Sequence, residues 1–178
     1  MSRSFKFLDI KNIVAIFVLA CIAGWIYETV LEVFVWKTGF SNRGFLTGPY
    51  LPVYGFGVLA FLPGVLWIFD RRFNIVIKIV LIVIFCALVA TIIELCTSYI
   101  LEWTIGNWLW DYTKNYKLHY QGRIALDTSL RFGLGGAGLT GLLLFLAKTY
   151  LSSHPRLQTV LLGVAGVMVV DFFCTIVK

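Results

Sequence analysis

Charged side chains are scarce in this chain. Asp, Glu, Lys and Arg make up 13% of its 178 residues, about half the quarter that a soluble domain uses to cover its surface. Because 60% of the residues are hydrophobic, lipid must cover what charge does not, and a second soluble domain has no room. Histidine is nearly absent: His119 and His154 lie far apart in polar connections. The cysteines, Cys21, Cys86, Cys96 and Cys174, form no Cys-x-x-Cys pair, so neither a zinc nor a redox site is expected. The thiols read as small buried packing residues, and no cofactor is expected. No Gly-x-x-x-x-Gly-Lys-Ser/Thr motif occurs, so an ATP-driven activity would need a separate ATPase subunit. The formal charge is +6, but its basic residues are scattered over short connections. That speaks against nucleic acid and for topology signals and contact with anionic head groups.

What the chain does have is long apolar runs. Crossing the hydrocarbon core takes about 20 apolar residues in a helix. Five runs qualify: residues 13–36, 50–69, 75–101, 124–147 and 159–177. They show no alternation of the kind a membrane β-barrel needs. The expected fold is all-α, a polytopic transmembrane helical bundle of about five spans forming one integral membrane domain over residues 1–178. The first run follows Arg3, Lys6 and Lys11, but it is too long for a signal peptide, carries two glutamates and lacks a small-residue cleavage site. A slight excess of basic residues favours an N-terminus inside and a C-terminus outside. The fourth run holds Gly133, Gly135, Gly136, Gly138 and Gly141. Its neighbours are expected to approach closely at Gly133 and Gly141, as at small residues in other membrane bundles.

Within these runs stand five acids: Glu28, Glu32, Glu94, Asp127 and Asp171. A carboxylate at the centre of a membrane helix costs about 2.5–3.5 kcal/mol on insertion scales, so such residues face protein or water and mark candidate sites. Glu28 and Glu32 are one turn apart, about 6 Å along the axis. Glu28 is expected to line a cavity, whereas Glu32 reads as an interfacial charge that reaches water. Glu94 lies deep in the third run, and Ser98 and Glu102 continue its face in four-residue steps. Asp127 and Arg131 have the spacing of a helical ion pair. Asp171, near the end of the last run, reads as reaching the interface or as locally hydrogen-bonded.

Two connections are unlike ordinary loops. NRGFLTGPYLPVYGFG, residues 42–57, is too rich in Gly and Pro to be helical throughout, yet it leads straight into apolar sequence. Irregular backbone at membrane depth is tolerated only where protein covers it or a cavity takes it up. A re-entrant or broken-helix segment before the second span is therefore expected, with an interfacial turn as the alternative. EWTIGNWLWDYTKNYKLHYQGR, residues 102–123, is dense in Trp and Tyr, which suits the head-group belt. It is read as a cap over the bundle mouth, with Asp111 and Arg123 turned inward.

GWIYET, NRGFLTGPYLPVYGFG, SYILE, WLWDY and GRIALDTSL together resemble the CmpB-like family of type IV ABC-transporter permeases, over roughly residues 24–136. Ala125 stands where members often carry a cysteine. The resemblance implies a bacterial cytoplasmic (inner) membrane protein, a permease or permease subunit, with Glu28, Asn42, Arg43, Gly48, Pro49, Glu94, Asp111, Gly122 and Arg123 as site positions. Glu32, Ser98, Asp127 and Arg131 are secondary candidates read from the residues alone. The expected function is passage of an ion or small polar or cationic solute through an acidic intramembrane cavity, with membrane lipids and a separate ATPase subunit or a second copy of the chain as partners. The alternatives are a non-transporting assembly or sensory subunit, and an intramembrane enzyme acting on a lipid head group.

Overall fold

Local chemistry sets where each helix begins and ends. Asp9 accepts the Asn12 amide at 2.8 Å and caps α1, Ile10–Val30, which runs on into a π-helical segment, Leu31–Trp36. The irregular connection that follows leads to α2, Pro52–Asp70. Asn74 accepts the Ile77 amide at 2.9 Å and caps α3, Ile75–Ile105. Gly106, at φ 79°, ends it by taking the left-handed conformation that glycine adopts without strain. After a two-stranded antiparallel ladder of β1, His119–Tyr120, and β2, Ile124–Ala125, come α4, Leu126–Thr149, a 3-10 turn, Leu151–Ser153, and α5, Pro155–Ile176, with proline in its first turn. This computed structural model describes residues 7–37, 39–42, 44, 46–108, 110–114 and 116–177. The chain is all-α apart from the short ladder, and five helices are long and apolar enough to cross a membrane. The fourth begins later than its apolar run, because residues 124–125 pair as a strand first.

The helices contribute to two compact units, and the boundary between them falls inside α2 and α4. One unit comprises Met1–Leu59 and Gly141–Lys178. Its polar tie is the buried Asn12, whose amide donates to the Phe7 carbonyl at 2.5 Å and the Ser152 hydroxyl at 3.3 Å, and whose oxygen accepts from Gln158 at 2.9 Å. Satisfied in this way, the buried amides fix the start of α1 against the start of α5, their hydrogen bonds offsetting the cost of leaving water. On the other side of α1, Gly55 of α2 lies against Phe17 and Cys21.

The second unit is Ala60–Thr140. Here α3 presents Val83, Ala87 and Thr91 at four-residue spacing to Ser129 and Gly133 of α4. The Thr91 hydroxyl meets the Ser129 hydroxyl at 2.7 Å, and a Cβ on Gly133 would stand 2.8 Å from the Val83 carbonyl oxygen and 2.7 Å from the Ala87 Cβ. Gly136 packs against Phe61, and Gly64 against Phe85. The expected close approach therefore holds at Gly133. At Gly141 it does not, because among the described residues nothing beyond its own helix lies within 4 Å of where a Cβ would be. Gly133→Ala is expected to destabilise the protein by about 1–3 kcal/mol, because a backbone carbonyl cannot swing aside. Gly138→Ala, which meets open space, should be neutral or slightly stabilising, since a helical glycine costs about 0.5–1 kcal/mol relative to alanine. Thermal unfolding in detergent would separate the two. Cysteine packing is also divided: Cys21 and Cys86 are buried as expected, but Cys96 and Cys174 are exposed on helix faces.

Candidate functional site

The motif GWIYET works with the irregular connection after it. Gly24 leaves space for the Tyr54 ring, which a Cβ would overlap. One turn further along α1, Glu28 accepts the Tyr54 hydroxyl at 2.5 Å. Trp25 donates its indole N–H to the Asn42 oxygen at 2.9 Å, and the Asn42 amide donates to the carbonyls of Thr47, at 2.8 Å, and Leu46, at 3.4 Å. Asn42 thus folds the connection back on itself and fastens it to α1. The Leu51 amide then donates to the Cys21 carbonyl at 2.9 Å. At 1.5 Å per helical residue, Cys21 lies roughly 20 Å along the axis from the end of the first span. Non-helical backbone therefore lies beside α1 as far back as Cys21, and α2, itself long enough to cross a membrane, starts from there at Pro52.

Two residues here differ from expectation. Glu32 is buried, with 4% of its surface exposed, and does not reach out to water. It lies in the π-helical segment, and Ser41 closes over it, donating its hydroxyl at 2.6 Å and its amide at 3.3 Å. Asp171 of α5 organises the connection. Its Oδ2 accepts the amides of Thr47 (3.0 Å) and Gly48 (3.1 Å) and the Tyr50 hydroxyl (2.7 Å). Tyr50 therefore serves as a donor to Asp171. Gly48 acts through its amide. Pro49 is exposed, and Arg43 lies outside the described residues.

In the second unit the polar face of α3 is covered by the aromatic connection. Glu94 Oε1 accepts the Tyr112 hydroxyl at 2.6 Å. Its Oε2 is buried without a hydrogen-bond partner among the described residues. Burial, and then the bond to Glu94, raise Tyr112 above the ordinary phenol range, so it too stays a donor. Further along α3, Glu102 and Ser98 hold Arg123, at 2.6 Å and 3.4 Å respectively. The Arg123 guanidinium is stacked between the Trp108 ring, 3.9 Å from its centroid, and the Tyr99 ring, at 4.3 Å. Its backbone carbonyl accepts the Trp110 indole at 2.7 Å. Arg123 is turned inward and buried. The turn that places it needs left-handed backbone at Gln121, φ 51°, and Gly122, φ 70°. A Cβ on Gly122 would also stand 2.5 Å from Asp111 Oδ1.

Asp111 is not turned inward. It is exposed, and its carboxylate folds onto its own turn, accepting the Thr113 amide and hydroxyl, each at 2.9 Å. Those bonds, the backbone one first, hold its carboxyl below the usual range. Its contribution to the turn is therefore full above the ordinary carboxylate range and fades as pH falls through the lowered value. The protection of the Thr113 amide, measured against its intrinsic exchange rate at each pH, should fall on acidification in the native protein. In Asp111→Asn it should be low throughout, with no step. The pair expected between Asp127 and Arg131 is also not made. Among the described residues no ion pair joins them: Arg131 turns to the Tyr116 hydroxyl at 3.3 Å and lies near its ring. Asp127 is exposed in the first turn of α4, where a carboxylate complements the helix dipole.

One relation recurs. Glu28, Glu94 and Asp171, each within a span, accept hydroxyls from Tyr54, Tyr112 and Tyr50. Glu28 and Glu94 have separate partners within separate units. Among the described residues, no three His, Cys, Asp or Glu side chains gather to hold a metal ion.

Five apolar helices, polar connections anchored on acids within the spans, and a large exposed apolar surface define a multi-pass α-helical membrane protein. A family model described as "Putative ABC-transporter type IV" matches residues 15–176, and the chain belongs to this family. Comparison with curated proteins and with solved structures gave no match.

Proposed function

We propose that the protein is a permease or permease subunit that binds a proton, a small cation or a small polar cationic solute at acids within its spans. It would form a single integral membrane domain in a bacterial inner membrane, N-terminus inside, and work with a separate ATPase subunit or as an oligomer. The observation that carries this reading is Glu94: one carboxyl oxygen held by a phenol, the other buried within a membrane span with no partner among the described residues. An acid so placed is either protonated or neutralised by a cation. Glu28, held by Tyr54 beside non-helical backbone, offers a second such group. Asn42, Gly48 and Asp171 would shape that backbone, Arg43 and Arg123 would balance charge, and Pro49 and Asp111 would lie at the margin. Glu32, Ser98, Asp127 and Arg131 would serve as supporting groups.

The test is flux through proteoliposomes loaded with a pH-sensitive dye and driven by a potassium diffusion potential, with sodium or ammonium as added probes. Glu94→Gln and Glu28→Gln should each lower flux by about tenfold or more, the scale on which a positioned proton-transfer group contributes. Unchanged flux in folded variants would remove the reading.

A further inference from the structure

Beside the Glu94 site, and independent of the proposed transport, the connection between α3 and α4 forms an open groove of about 440 Å³ lined by Thr113, Lys114, Tyr116, Lys117 and His119. Cations outnumber acids there, although the Asp111 carboxylate acts on both Lys114 and His119. No ion pair involves Lys114 or Lys117 among the described residues. His119 Nδ1 accepts the Gly122 amide at 3.2 Å, which leaves the proton of the neutral ring on Nε2 as a donor. Arg131 adds a further cation behind the Tyr116 ring, 5.8 Å from its centroid. The neighbouring carboxylate, Asp111, is engaged by its own turn at Thr113. Leu118 and Tyr120, on either side of His119 in the chain, are exposed, and tyrosine is a residue that sits at head-group level.

We propose that this groove binds a phosphate group, carried by an anionic lipid or by a soluble phosphate ester. Two ammonium groups and an imidazole N–H offer the charge and donors that a phosphate takes up. The groove is also wired to the interior. Its wall residue Tyr116 meets Tyr112 edge-on, with ring centroids 5.6 Å apart and planes at 82°, and Tyr112 bonds Glu94. A phosphate seated against Tyr116 is thus two side chains from the intramembrane acid.

Native mass spectrometry of the full chain in detergent tests this with phosphatidylglycerol, phosphatidylcholine and glycerol 3-phosphate as probes. Phosphatidylglycerol should be retained over phosphatidylcholine. Lys114→Gln/Lys117→Gln should lower its retention by about tenfold or more, since each lysine near an anionic surface contributes about fivefold. Lys114→Arg/Lys117→Arg should retain it, which excludes loss through misfolding. Displacement by glycerol 3-phosphate would assign the groove to a soluble ester, and resistance to it would assign a lipid-borne phosphate; both uphold the proposal. Retention unchanged in the double glutamine variant, or reduced no more than in Lys148→Gln/Arg156→Gln, would overturn it.

Discussion

Arg123→Ala should lower the melting temperature of the detergent-solubilised protein by about 5–10 °C, corresponding to a loss of about 2–3 kcal/mol in a chain of this length. Three losses add up. The space between the Trp108 and Tyr99 rings empties, two cation–π contacts of about 0.5–2 kcal/mol each disappear, and Glu102 loses its partner. The last loss is the smallest, because the Glu102 side chain is 44% exposed and water takes over part of the charge. Arg123→Lys should recover only a fraction. An ammonium cannot lie flat between two rings and still reach both Glu102 and Ser98. Tryptophan emission should report the change directly, since the Trp108 ring is one face of the stack.

Asp171→Ala should release the irregular connection before α2 while leaving the five helices intact. One carboxylate oxygen accepts from three donors on that segment, and hydrogen bonds to a charged acceptor are stronger than those between neutral groups. The Thr47 and Gly48 amides should then exchange with solvent at least about thirtyfold faster, whereas amides in the middle of α3 should not change. Uniform acceleration across all helices would show that Asp171 supports the whole fold and not this segment. Asp171→Asn should fall between, because its oxygen still accepts but carries no charge.

The spans were legible because lipid imposes a length and a polarity that composition cannot hide. The acids were legible for the same reason: Glu28 and Glu94 stand out against apolar neighbours. Their partners were not. Tyr54 is 26 residues from Glu28, Tyr112 is 18 from Glu94 and Tyr50 is 121 from Asp171, and no local pattern links positions so far apart. Asp171 was therefore undervalued, although an acid in the final apolar run was in plain view. The π-helical segment was hidden as well, since nothing in LEVFVW itself favours the wider turn that carries Glu32. Asp111 could have been placed: Asp-Tyr-Thr is the spacing at which a carboxylate bonds the amide two residues on, which turns the side chain back on its own loop. The Asp127–Arg131 spacing suggested a pair, but Tyr116, 15 residues back in the connection that leads into α4, takes the arginine.

Infrared difference spectroscopy of the reconstituted protein tests the central claim most directly, by following the carboxyl stretch while pH or sodium concentration is raised. If Glu94 exchanges a proton for a cation, the band of a protonated buried acid should disappear reversibly, shift in Tyr112→Phe and be missing in Glu94→Gln. A spectrum that ignores pH and sodium, or a band that survives Glu94→Gln and Glu28→Gln together, would contradict it.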